Sequence, residues 1–279
     1  MTRAFILFAS LAVAVPAHAQ FKLPDLNVNR LLDTAKNLGK AVHEPTESEE
    51  IAIGNDVAAR LLGAAPLVAD ARVQQYVNRV GRWLALQSER PDLPWHFGVL
   101  EAPQVNAFAV PGGTIFITRG LLARMTSEAE LAGALSHEIA HVVKKHHLKA
   151  IQKGALASLS ADAAGSALNN VNPQARAKLI SFGTELYSRG LDKGDEFEAD
   201  RLGVVIAARG GYDAYGLPGV LQTLQAMNAS DSALALMFKT HPSPAERLDA
   251  LGRMQAVLDA YSGQPQLAER FVAETKPAR

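Results

Sequence analysis

The sequence predicts an α+β fold, mostly helical, with one small sheet. Three observations predict it. Apolar residues recur at spacings of three and four over most of the chain. One central stretch changes to aromatic and β-branched residues around a proline and two glycines. The 279 residues are 48% hydrophobic and 20% charged, the balance of a globular chain with a sizeable core.

Taken in order, the pattern from Phe21 to about Ser88 is helical, with Val57, Leu61, Leu62, Val73, Val77, Val80, Trp83 and Leu84 between charged positions. Pro91 and Pro94 end it. Trp95 to Thr118, WHFGVLEAPQVNAFAVPGGTIFIT, predicts short strands joined by a tight turn at Pro111, Gly112 and Gly113. After Ser127 the helical pattern returns, with breaks near Asn169 to Pro173, Gly190 to Gly194, Gly210 to Gly216 and His241 to Pro244. Gly154 to Val171 carries a single charge, Asp162, and mostly small residues; it is too polar and too short to span a bilayer and reads as a closely packed helix. With no internal repeat, one domain is the simplest organisation.

The first twenty residues place Arg3 before an apolar run from Ala4 to Val15, followed by Ala17, His18 and Ala19. This is the pattern of a secretory leader cleaved after Ala19. A spanning helix needs about 20 apolar residues, so the run is too short for an anchor. The mature protein is therefore expected in the periplasm, without a transmembrane segment.

Lysine plus arginine equals aspartate plus glutamate at 28 each. No cationic excess is available to neutralise a phosphate backbone, which argues against nucleic acid as a partner. With no cysteine, a metal can be held only by nitrogen and oxygen.

The chemistry lies in ELAGALSHEIAHVVKKHH. Ser127 and Glu130 stand in capping-box spacing at the start of this helix. From Leu131 to Val143 it is apolar on almost every side, yet His137, Glu138 and His141 fall in its middle. Buried without partners, such groups cost several kcal/mol, and a bound cation is the economical compensation. Four residues advance a helix by about 400°, so His137 and His141 project from one face and can share one Zn²⁺. Glu138 lies about 100° round from His137, beside the metal without ligating it. That is the place of a general base.

A third ligand is needed, and DKGDEFEADRLG offers one. Glu196 and Asp200 share a helix face, so Glu196 can complete the set while Asp200 accepts the N–H of a ligating histidine. The same residues also read as an acidic first turn that stabilises a helix N-terminus. Glu198 faces elsewhere. His146 and His147, with Lys144 and Lys145, fall off the ligand face at the helix end and read as cations offsetting its carbonyls. His241, in THPSPAERL, is a loop residue able to swing to the metal as a fourth ligand or an oxyanion donor. Tyr187, Arg189 and Arg247 are further oxyanion candidates.

Four segments, NAFAVPGGTIFITRGLL, SHEIAHVVKKH, EFEADRLG and THPSPAERL, together resemble the zinc metallopeptidase family that includes the HtpX-like and CAAX prenyl proteases. The likeness runs from about Glu47 to Leu251 and is greatest to soluble periplasmic members. It implies a gluzincin fold with the sheet beside the active-site helix, and it gives Glu196 the third-ligand role. It also implies a substrate strand at Asn106, Ala107, Phe108 and Ala109, along which an extended polypeptide adds. The chain then divides into a leader (1–19), an N-terminal extension (20–46), a zinc metallopeptidase domain (47–262) and a C-terminal tail (263–279). The expected activity is endopeptidase cleavage of misfolded, unfolded or misassembled envelope polypeptides, outer-membrane proteins among them. Two other readings remain: a periplasmic chaperone or binding module with a closed or structural zinc site, and a zinc hydrolase of peptidoglycan cross-links.

Overall fold

The computed structural model describes residues 45–153, 190–227 and 231–276. The leader, most of the N-terminal extension and the small-residue segment Gly154 to Val171 lie outside them. Among the described residues no helix is long and apolar enough to cross a membrane.

Two helices open the described chain, α1 (Glu47–Ala64) and α2 (Ala71–Ala85). Thr46 and Glu49 cap α1 reciprocally, and Asp70 accepts from the amides of Arg72 and Val73 at the start of α2. The stretch expected to be strands gives β1 (His96–Leu100), β2 (Ala107–Val110) and β3 (Thr114–Thr118) in the order β1-β3-β2. β1 runs parallel to β3 and β2 antiparallel to it. The β2–β3 turn needs two positive φ angles, 81° at Gly112 and 104° at Gly113, which glycine adopts without a Cβ penalty. Buried Glu50 of α1 clamps this turn. Its carboxylate accepts from the Gly112 amide at 3.1 Å and pairs with Arg90 at 2.9 Å.

The far edge of β1 is closed by α2 rather than by another strand. The Gln74 amide both donates to Val99 O and accepts from Val99 N at 2.9 Å, and Asn78 accepts from Phe97 N. Such capping satisfies backbone groups that an edge strand otherwise exposes.

A short helix, α3 (Arg119–Leu122), leads into α4 (Glu128–Val143), then come α5 (Lys193–Arg209), α6 (Gly216–Ala226), α7 (Ala235–Thr240), α8 (Pro244–Gly252), α9 (Gln255–Ala260) and α10 (Ala268–Thr275). α4 runs through the middle, packed closely against α5 and α6. Ser127 caps it as expected, accepting from Glu130 N at 3.2 Å. The reciprocal half of the expected capping box is absent, because Glu130 instead accepts from the amide and hydroxyl of Thr126. Two glycines set the spacing around α4: a Cβ on Gly133 would meet Leu217 N at 2.4 Å, and one on Gly203 of α5 would meet His137 N at 2.9 Å. The second approach is what brings the acidic turn of α5 to the histidines.

Gly203→Ala should therefore destabilise the protein by about 1–3 kcal/mol through overpacking, measured as a lower urea midpoint; an unchanged midpoint would mean that the two helices can separate at no cost.

Candidate metal centre

α4 carries His137, Glu138 and His141 through its buried middle, with 3%, 4% and 1% of their surfaces exposed. The two histidines turn their Nε2 atoms toward each other at 3.1 Å. α5 crosses at this level and presents Glu196, whose carboxylate oxygens stand 3.6 Å from each Nε2. These ligand atoms all lie within 4.8 Å of one another. Ligands about 2.05 Å from a tetrahedral zinc lie about 3.3 Å apart, so the observed spacings fit one small divalent ion. The donor chemistry agrees. Two imidazole nitrogens and a carboxylate oxygen are donors that zinc takes, and a cation between them would satisfy ring lone pairs that would otherwise face each other.

Around this triad each polar group has a partner. His137 Nδ1 lies 2.9 Å from Asp200 Oδ1, and Asp200 in turn accepts from Arg247 Nε at 2.9 Å and Nη2 at 2.5 Å. Arg247 Nη2 is also 3.2 Å from His137 Nδ1, but a guanidinium can only donate. With the proton on Nδ1 directed at Asp200, this contact is not a hydrogen bond. Arg247 reaches Asp200 because Ser243 and Glu246 form a capping box that fixes the start of α8.

Burial alone would push the Asp200 carboxyl up, but the Arg247 guanidinium and His137 outweigh it and bring it down to about 2. Burial also raises Glu196, and His241 and His141 overturn that, holding it well below the usual carboxylate range. Glu138 differs: burial raises it, and the nearby cationic groups only partly oppose this. Burial takes His141 well below its ordinary value, whereas the carboxylates of Asp200 and Glu196 overcome burial at His137 and raise it to about 9.

The expected residues thus come together to a large extent. His137, Glu138, His141, Glu196 and Asp200 share one buried cluster. His241 joins it from the loop after α7, with Nδ1 2.6 Å from Glu196 Oε2. Arg247 is engaged by Asp200. Asn106, Ala107, Phe108 and Ala109 line a recess that also presents Glu138, Glu196 and His241. Tyr187 and Arg189 lie outside the described residues. Two participants were not expected: His147, whose ring centroid lies 5.4 Å from that of His141 and which lines the same recess, and His146. In an unbroken helix His146 would lie about 140° round from His141. The helix instead ends at Val143, Lys145 adopts a left-handed φ of 58°, and the His146 ring turns back to lie 3.0 Å from His141 Nδ1. Glu198, expected to face elsewhere, meets the other side of His146 at 3.3 Å.

Two histidines a turn apart on one helix, crossed by a second helix that offers a glutamate, define a zincin of the gluzincin kind. The profile of peptidase family M48 matches residues 71–255, and the chain belongs to that family. It is similar to the beta-barrel assembly-enhancing protease of Yersinia pestis, 32% identical over 221 residues, covering 74% of this chain and 44% of that protein. The protein of the same name from Escherichia coli (strain K12) is 29% identical over 238 residues, covering 79% of this chain and 47% of its own. The mitochondrial metalloendopeptidase OMA1 of Schizosaccharomyces pombe is 33% identical over 178 residues, 62% of this chain and 50% of its own. The chain thus spans about half the length of these relatives.

The acid limb of stability should report Asp200. Its folded value near 2 lies below an unfolded value of about 3.9. The stabilisation is therefore complete above about pH 4 and lost as the pH falls through about 2. Asp200→Asn should flatten the change in urea midpoint across that window; an acid limb as steep as wild type would place the stabilising proton elsewhere.

Proposed function

We propose that the protein is a zinc-dependent endopeptidase of the periplasm that cleaves misfolded or misassembled envelope polypeptides. The observation that carries this reading is the pairing of a buried carboxylate, Glu138, with the His137, His141 and Glu196 cluster at the wall of an apolar recess. When bound, zinc lowers the pKa of a coordinated water and polarises the scissile carbonyl. His137, His141 and Glu196 hold the ion. Glu138 accepts the proton of the attacking water and returns it to the leaving amine. Its burial supports this role, since burial raises the carboxyl above its ordinary value and makes it a readier proton acceptor. Asp200 fixes the His137 ring with its proton on Nδ1, and Arg247 keeps Asp200 ionised.

The substrate reading has two supports. β2 is an edge strand of the described sheet, and Asn106 to Ala109 line the recess at Glu138, so an extended polypeptide running along them passes the catalytic carboxylate. Beside His137 the recess is lined by Leu217, Val220, Leu221 and Leu224, which suits an apolar side chain next to the cleaved bond. The leader pattern at Met1 to Ala19 supports export, and the names of the bacterial relatives point to proteins of the envelope.

Glu138→Gln should retain zinc but lose casein hydrolysis by about 10²- to 10⁴-fold; zinc content and initial rate on the same preparation test both halves. Wild-type rates in that variant would refute the base assignment. Suppression of aggregation by both forms, with cleavage by neither, would replace the enzyme with a binding module.

His241 favours one refinement. Its contact with Glu196 suits a closure over the centre, in which the carboxylate that would hold the ion also pairs with an imidazole. His241→Ala should accordingly raise casein hydrolysis without raising zinc content. A lower rate would instead make His241 a donor to the developing oxyanion.

A further inference from the structure

The polar contacts beyond His141 form a chain. His146 is 2% exposed, its Nδ1 is 3.0 Å from His141 Nδ1, and its Nε2 is 3.3 Å from Glu198 Oε2 and 3.7 Å from Asp195 Oδ1. Asp195 and Glu198 belong to the same turns of α5 as Glu196.

Only one proton fits between two ring nitrogens 3.0 Å apart, and its owner decides what His141 offers on its other side. A neutral imidazole carries one N–H and one lone pair. If His141 keeps its proton on Nδ1, it donates to His146 Nδ1 and presents the Nε2 lone pair toward His137 and Glu196. His146 then carries its proton on Nε2, aimed at Glu198, and every donor in the chain meets an acceptor. In the opposite arrangement His146 donates, His141 carries its proton on Nε2, and the nitrogen facing the cluster is blocked. Glu198 selects between the two, because a carboxylate beside His146 Nε2 stabilises the tautomer that donates to it.

We infer that His146 and Glu198 are positioning residues, which hold His141 in the tautomer whose Nε2 can ligate the metal. The inference rests on the proposed role of His141 as a ligand. It makes the cluster symmetrical in logic: Asp200 sets the proton of His137, and His146 with Glu198 sets that of His141.

The same residues admit a competing use. His146, Asp195 and Glu198 have ligand atoms within 4.8 Å of one another, close enough to hold a metal of their own. Proton placement argues against it. A metal on His146 Nε2 would move the His146 proton to Nδ1, directed at His141, and His141 would have to carry its own proton on Nε2. With neutral rings, the two sites exclude each other.

The test is zinc binding by the full chain in competition with a chromophoric chelator. Wild type should bind one zinc. His146→Leu and Glu198→Ala should weaken binding by about 10- to 100-fold. His146→Asn, whose amide oxygen can stand where His146 Nδ1 accepts, should recover most of the affinity, and so should Glu198→Gln. Glu198 is half-exposed, so its variants should keep the zinc-free urea midpoint of wild type, which separates positioning from folding. In wild type, nitrogen-15 spectra of His141 should show the proton on Nδ1 with zinc bound. Undiminished affinity in Glu198→Ala and His146→Leu would overturn the inference while leaving the ligand assignment standing. Two zinc ions per wild-type chain would overturn it in favour of a second site. No zinc at all would overturn the ligand assignment and this inference with it.

Discussion

α4 carries two imidazoles and a carboxylate through the most apolar part of the interior, and the rest of the protein is arranged around making that tolerable. Each of these groups, left alone, would cost more than a typical core contact returns. For the two imidazoles, carboxylate compensation comes from one neighbour, α5, because Gly203 lets its backbone lie against that of His137. A helix kept farther away by an ordinary side chain would leave Glu196 and Asp200 short of the rings. The close approach is thus a structural condition for the centre, and it is met by the absence of a Cβ.

The charges follow from the same packing. Inside a low-dielectric cluster a carboxylate persists only beside a cation or several donors. Asp200 meets this condition through Arg247 on α8, and Glu196 through the surrounding imidazoles. Glu138 has the weakest compensation of the three, and its carboxyl accordingly rises. In the proposed mechanism, three carboxyl groups on two helices are in this way separated by their neighbours into an ion-holding group, a ring-orienting group and a proton carrier.

Much of this was legible in the sequence. Spacings of four place His137 with His141 and Glu196 with Asp200 on common faces, because helix periodicity acts locally. The strands and their Pro-Gly-Gly turn were legible for the same reason. What the spacing could not convey was any contact that depends on where a helix stops. His146 looked like a helix-end cation because the periodic reading carried α4 past Val143; the left-handed turn at Lys145 reverses that direction, and no residue there announces it, lysine being an uncommon occupant of positive φ. Glu198 was misread through its partner. Ser127 and Glu130 had capping-box spacing, but the spacing does not decide between Ser127 N and Thr126 N as the donor to Glu130, and the structure chose Thr126. Arg247 was one of four oxyanion candidates until the fold placed Asp200 against it.

The segment that reads as a C-terminal tail contributes α10, with Phe271 fully buried in the main core and Arg270 paired with Glu128, the first residue of α4. Tyr76 and Tyr212 donate to the same carboxylate, each at 2.8 Å. Four distant stretches of chain are in this way knotted at the entrance to the central helix, about two and a half turns before His137. The last described helix is therefore a keystone of the interior: displacing it would withdraw a phenyl ring and a guanidinium together and leave a buried anion to be reconciled by the very helix on which the histidines stand.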